Sequence, residues 1–304
     1  MVIKDCLGIR RGENVVIVTD RFCYPIGNVI AHSLRKITDP ILIEITPRKI
    51  HGQEPPKLVA EIMKNSDVFI IPTSRSLTHT CARIEATKAG ARGATMPGIT
   101  IDVMIRALNT DYKKIAQLTN KIADLLSHAK RAVIKTDKGT NLELNLANRK
   151  CHLDTGIIKK RGEFSNLPAG EAYIAPNENK TNGTVVIDGS FALIGFLDKS
   201  VRLKINNGRI SRIHGNNKLK RIFQQYSEKE KVLCELGIGT NPAAKITGNV
   251  LEDEKVLGSI HVAFGNNLGF GGRNKARIHL DGVMKSPDFW LDEKLIIKKG
   301  KFLI

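Results

Sequence analysis

Aromatic residues are scarce in this chain, 5% of 304 positions with a single tryptophan. A sheet or groove that stacks bases needs more exposed rings than that. Acidic residues are also few, 30 against 48 lysines and arginines, for a formal charge of +18. The basic residues are spread along the whole chain. There is no helix-turn-helix, zinc-finger or RNP-type signature, so a generally basic surface is expected rather than a nucleic-acid partner. The five cysteines, Cys6, Cys23, Cys81, Cys151 and Cys234, are odd in number and form no C-x-x-C pair. That excludes a disulfide framework and a cysteine zinc site. Cys81 follows His79 closely, but an inert buried thiol is the expectation. No stretch approaches the roughly 20 apolar residues that span a bilayer. The opening residues carry Lys4, Asp5, Arg10 and Arg11 in place of a signal-peptide pattern, so no membrane and a cytoplasmic location are expected. G-x-G-x-x-G is absent, which leaves no case for a dinucleotide cofactor. What remains, 41% hydrophobic and 26% charged residues, is the composition of a folded globular protein of about two domains.

The first half alternates strand and helix. Glu13–Asp20, Pro40–Thr46, Asp67–Thr73 and Ala91–Met96 read as strands. Helices are expected over 25–36, 57–64 and 78–89, the last ended by Gly90. That alternation predicts a doubly wound parallel sheet, with ligands beyond the carboxyl ends of its strands. Ser76, His79 and Thr80 lie at such an end and are candidates to line a cleft, with helix capping as the other reading. Asp111–Lys130 is the clearest helix, with Ile115, Leu118, Ile122, Leu125 and Leu126 on one stripe. A domain boundary is placed after it, giving an α/β domain over 1–130 and a β-rich α+β domain over 131–304. In the second half, Ala132–Thr136, Asn141–Leu146 and Gly183–Asp188 read as strands. Val201–Ile205 and Arg209–Ile213 flank an Asn206-Asn207-Gly208 turn.

The chemistry concentrates near the C-terminal end. In Ser259–Phe264, period two puts Ile260, Val262 and Phe264 on one face and His261 on the other. In Arg277–Asp281 it puts His279 and Asp281 together. A glycine-rich loop joins the two segments and lets the backbone approach a ligand. Two imidazoles and a carboxylate suit zinc, manganese, cobalt or divalent iron, while a structural His–Asp hydrogen bond is the plainer reading. Glu235 interrupts an apolar strand within Lys231–Pro242, where an unpaired buried carboxylate costs roughly several kcal/mol. It requires a metal, a lysine or water. Asn266 and Asn267 are candidates to position substrate through their amides, or simply to make the turn.

The segments Asn166–Pro176, the Glu235 strand, Ser259–Gly265 and His279-Leu280-Asp281 resemble, in order and residue type, the aminopeptidase T family of dinuclear metallopeptidases. The resemblance is best over 160–304. It implies metal ligands at Glu171, Glu235, His261, His279 and Asp281. It further implies two divalent ions (zinc, cobalt or manganese), a metal-activated water that removes N-terminal residues from peptides, and a homodimer. The family typically pairs two glutamates where this chain has Gly170-Glu171. It also carries a tyrosine in the region that here reads Asn266–Gly272. The alternative resemblance is to 2,5-dihydroxypyridine 5,6-dioxygenase, with His261, His279 and Asp281 as a mononuclear iron triad and a small-molecule substrate. Glu171 and Glu235, which two ions need and one does not, favour the hydrolase. No general base can be assigned. A third reading is a basic binding protein without catalysis.

Overall fold

The computed structural model describes residues 2–304. It is a mixed α/β structure with one parallel sheet and two antiparallel sheets. Its contacts divide the chain into two compact units, residues 1–116 with 154–169, and residues 117–153 with 170–304.

In the first unit the strand order is Ile41–Ile45, Val15–Asp20, Val68–Thr73, Arg92–Pro97, Phe164–Asn166, and every pairing is parallel. Val15–Asp20 and Val68–Thr73 are buried at every position. Period two explains how both faces are filled. Val15, Ile17, Val68 and Ile70 enter one core with Ile26, Ile30 and Leu34. Val16, Val18, Phe69 and Ile71 enter another with Val59, Met63 and Ala86. A parallel sheet covered on both sides therefore reads as unbroken apolar runs.

The division differs from a single cut after residue 130. Phe164–Asn166 comes from beyond that cut and pairs with Arg92–Pro97 through Gly93, Ala94 and Thr95. Asn166 Oδ1 accepts hydrogen bonds from Thr95 Oγ1 at 2.6 Å and Thr78 Oγ1 at 3.3 Å. A three-residue strand held by polar side chains leaves no periodic signature. Cys81 is exposed rather than buried, and its amide donates to Glu54 Oε1.

The second unit is built on two antiparallel sheets. One has eight strands, running from Arg209–His214 at one edge to Lys301–Phe302 at the other. The other has seven, in the order Gly195–Phe196, Ser190–Phe191, His279–Met284, Ile260–Gly265, Leu233–Gly239, Glu171–Ile174, His152–Asp154. Inward residues of both, among them Leu142, Val185, Leu203, Leu236, Val262 and Phe264, form one core. Ile122 and Leu126 of the helix Tyr112–His128 and Phe223 of Asn217–Gln224 join it.

Glu230 ties a turn of this unit to the strand that follows the glycine-rich loop. Its carboxylate accepts from Ser227 Oγ at 2.5 Å and from the backbone N–H of Arg277 at 3.2 Å. The Ser227 hydrogen bond, against the opposing pull of burial, lowers its pKa from the usual 4.5 to about 2. A depressed carboxylate contributes stability that is present above the unfolded value and lost as pH falls through the folded one. Glu230→Gln is therefore expected to lower the Tm at neutral pH by about 2–4 °C and to flatten its decline between pH 4.5 and 2. Thermal melts of both proteins across that range check this, and parallel curves would refute it.

Candidate metal centre

The seven-stranded sheet presents its outer face as a cradle. In the ladder, Glu171 stands opposite Gly239, and Gly237 stands between Tyr173 and His261. Glu235 pairs with Ala263, Ala263 with Asp281, and Gly265 with His279. The charged and imidazole side chains thus alternate across the strands with Gly237, Gly239, Ala263 and Gly265. Long side chains lean over these small residues and converge. At Gly237 a Cβ would collide with the His261 ring, and at Gly239 with the carbonyl oxygen of Val256.

The ladder slips between Leu233 and Glu235, leaving Cys234 as an extra residue. Leu233 and Leu236 both belong to the core. Plain alternation would send Glu235 inward with Leu233; the bulge turns it to the cradle.

The five carboxylate and imidazole side chains form a continuous chain of contacts. His261 Nε2 lies 3.4 Å from Glu171 Oε2 and 3.3 Å from Glu235 Oε1. His279 Nε2 lies 3.3 Å from Glu235 Oε2 and 3.4 Å from Asp281 Oδ1. His261 is fully buried, while the His279 side chain keeps 32% exposure and forms the open edge. Burial works against a charged His261, but Glu235, Glu171 and Glu254 outweigh it and raise its pKa to about 9. Burial likewise pushes Glu235 upward, and hydrogen bonds from His261 and His279 hold it below the ordinary carboxylate range.

These residues fit a divalent cation. His279 Nδ1 lies 2.9 Å from the carbonyl oxygen of Asn266, a bond that in the neutral ring places the proton on Nδ1. The lone pair of Nε2 then faces two carboxylate oxygens, an arrangement that calls for a positive charge among them. Glu171 Oε2 and His261 Nδ1 are buried without a hydrogen-bond partner. Two groups have their donor atoms within 4.8 Å of one another: Glu235, His279 and Asp281, and Glu171, Glu254 and His261.

Glu254 and its neighbour Lys255 were not expected from the sequence. Lys255 Nζ donates to Glu171 Oε1 at 2.5 Å and to Glu254 Oε1 at 2.6 Å. In Glu252-Asp253-Glu254-Lys255 the run of charges reads as a solvated turn, and nothing in it signals burial. Glu178 and Arg149 were missed as well. Glu178 accepts from Arg149 Nη2 at 2.5 Å, Asn267 Nδ2 at 3.1 Å and the Arg273 N–H at 2.6 Å, and so holds the glycine-rich loop.

The remaining candidates have other partners. Asn267 is fully buried, and its amide is engaged by Glu178, the carbonyl oxygen of Cys234 and the Asn274 N–H. Asn266 contributes its backbone carbonyl to His279, and its side-chain oxygen accepts from the Ala276 N–H at 3.5 Å. Ser76, His79 and Thr80 belong to the first unit. There Ser76 Oγ accepts from the Thr78 N–H and Thr80 caps the helix Cys81–Ala89, while His79 is exposed.

Displacing His261 tests the cradle. Gly237→Ala is expected to weaken binding of a divalent ion by about 10–100-fold, the usual cost of misplacing a ligand's surroundings, with the far-UV spectrum retained. Isothermal titration with cobalt or ferrous iron checks it, and wild-type affinity in the folded variant would show that His261 is not needed.

Comparison with known proteins separates the two families that this arrangement resembles. The family model for NicX, 2,5-dihydroxypyridine 5,6-dioxygenase, matches residues 33–304. The 2,5-dihydroxypyridine 5,6-dioxygenase of Pseudomonas putida KT2440 is 25% identical over 215 residues, 66% of this chain and 61% of that relative's length. The solved structure of the dioxygenase from that organism superposes with a TM-score of 0.82 at 18% identity, covering 97% of this chain and 93% of that one. AmpT from Thermus thermophilus superposes with a TM-score of 0.70 at 14% identity, covering 100% of this chain and 97% of that one. At such identities the two superpositions show the fold alone. The expectation of an aminopeptidase, and with it of a hydrolase or protease, is overturned by the family match. The five residues behind that expectation sit on one sheet face of a shared fold, so they could not distinguish its families. The expectation of an enzyme holds at the level of the family, whose name is that of a dioxygenase and not of a hydrolase. The match extends over most of the chain and includes every member of the carboxylate–imidazole cluster: the chain belongs to the 2,5-dihydroxypyridine 5,6-dioxygenase family.

Proposed function

We propose that this protein is an iron-dependent dioxygenase that opens an electron-rich, hydroxylated aromatic ring of the 2,5-dihydroxypyridine type. The observation that carries the reading is the family match over residues 33–304, which encloses the whole donor cluster. His279, Asp281 and Glu235 would hold the iron, with His261 beside Glu235. Imidazole and carboxylate donors without a thiolate suit divalent iron. Cys234 Sγ approaches His279 at Nδ1, at 3.7 Å, on the side away from the carboxylates. Bound iron supplies the one-electron chemistry by which dioxygen reacts with a spin-paired ring.

The protein's own side chains fit a flat substrate. Phe270 meets His279 edge-on with ring centroids 5.9 Å apart. Tyr173 lies 5.4 Å from Phe270, and His152 stacks on Tyr173 at 5.6 Å. These rings form an aromatic wall at the open edge of the cluster, where a small aromatic ring gains edge and stacking contacts that a peptide backbone would not. The substrate is accordingly a small molecule. Among the described residues no helix is long and apolar enough to cross a membrane.

Protein purified anaerobically and loaded with ferrous iron should consume oxygen in the presence of 2,5-dihydroxypyridine, with loss of the ring's ultraviolet absorption. His279→Ala and Asp281→Ala should each lower the rate by at least about 100-fold. Folded, iron-loaded protein that takes up no oxygen with a panel of dihydroxylated pyridines and benzenes would overturn the reading.

A further inference from the structure

Lys255 is the only buried lysine among the described residues, with 0% exposure. Its ammonium lies 2.5 Å from Glu171 Oε1 and 2.6 Å from Glu254 Oε1, and both of those residues belong with His261 to one of the two candidate donor groups. The other group, Glu235, His279 and Asp281, has only imidazoles facing its carboxylates. The two groups offer similar donors and differ in one respect: the first already holds a cation, tethered to the chain.

We propose that the Lys255 ammonium takes the place of a second metal ion, so that the centre accepts a single divalent ion at Glu235, His279 and Asp281. The inference rests on the reading of that second group as the iron site. An ammonium and a divalent ion compete for the same carboxylate lone pairs and repel each other when close. Entry of a second ion would require Lys255 to withdraw its charge from Glu171 and Glu254. No water reaches Nζ to receive it, and a lysine separated from its partners inside a protein is strongly disfavoured. A fold able to place two donor groups side by side is thereby restricted to one ion by a single side chain. Removing the charge while keeping an unbranched side chain should open the group of Glu171, Glu254 and His261.

Cobalt titration of the metal-free full chain, followed by visible absorption and by metal analysis after gel filtration, tests this. Wild type should saturate at one ion per chain, Lys255→Arg likewise at one, and Lys255→Met and Lys255→Gln at two. Wild type that takes two ions, or folded Met and Gln variants that stay at one, overturns the proposal while leaving the metal site intact. Wild type that takes none overturns the iron reading and the proposal with it. Anomalous scattering from a cobalt-soaked wild-type crystal decides the matter without any variant. Cobalt among Glu235, His279 and Asp281, with Lys255 between Glu171 and Glu254, supports the proposal; cobalt between Glu171 and Glu254 overturns it.

Discussion

Carboxylates buried side by side repel, and the fold of the second unit is arranged around that repulsion. The donor atoms of Glu235, His279 and Asp281 lie within 4.8 Å of one another. Two unit negative charges at such a distance repel by about 3.5 kcal/mol at an effective dielectric of 20. A domain with a net stability of roughly 5–15 kcal/mol keeps such a pair only if a positive charge comes with it. The protein supplies part of that charge itself. Lys255 sits against Glu171 and Glu254, and the carboxylates around His261 raise its pKa to about 9, toward the charged form. A divalent ion would complete the neutralisation on the side where the chain has no lysine.

The sheet makes this crowding geometrically possible. Period two alone would not bring Glu171, Glu235, His261, His279 and Asp281 together, because cross-strand neighbours would fill the space between them. Gly237, Gly239, Ala263 and Gly265 occupy those neighbouring positions. The opposite face of the same strands, with Ile174, Leu236, Ile238, Val262 and Phe264, is ordinary apolar core. Rigidity behind the cradle and emptiness within it thus come from the same alternation, and Glu178 and Arg149 extend that rigidity to the loop that carries Asn266.

How far this was legible in the sequence follows from range. The parallel sheet showed itself because each of its long strands is a continuous apolar run, and the helix Tyr112–His128 because its stripe repeats at helical spacing. His261, His279 and Asp281 were legible for the same reason, since strand alternation places them on a polar face within a few residues. Glu235 stood out only as a charge in an apolar run; the bulge at Cys234 that turns it outward is a property of the ladder, not of the local sequence. Lys255, Glu254 and Glu178 were invisible. Their burial depends on strands far away in the chain, and charged residues in a turn ordinarily face water.

The assignment to a hydrolase went astray at the point where local and distant information meet. The resemblance to the peptidase family rested on the types and order of Glu171, Glu235, His261, His279 and Asp281, and it is the sheet, not the reaction, that dictates where such long polar side chains converge. Glu171 and Glu235 favoured two ions only so long as nothing else positive was known to lie beside them. The structure adds the missing neighbour: Glu171 is held by Lys255, so its presence carries no vote for a second ion. With that vote removed, the donors left facing an open edge are imidazoles and carboxylates beside an aromatic wall, an environment suited to a small ring. A charge count made from acidic residues alone is therefore incomplete; the lysine that folds in among them has to be counted too.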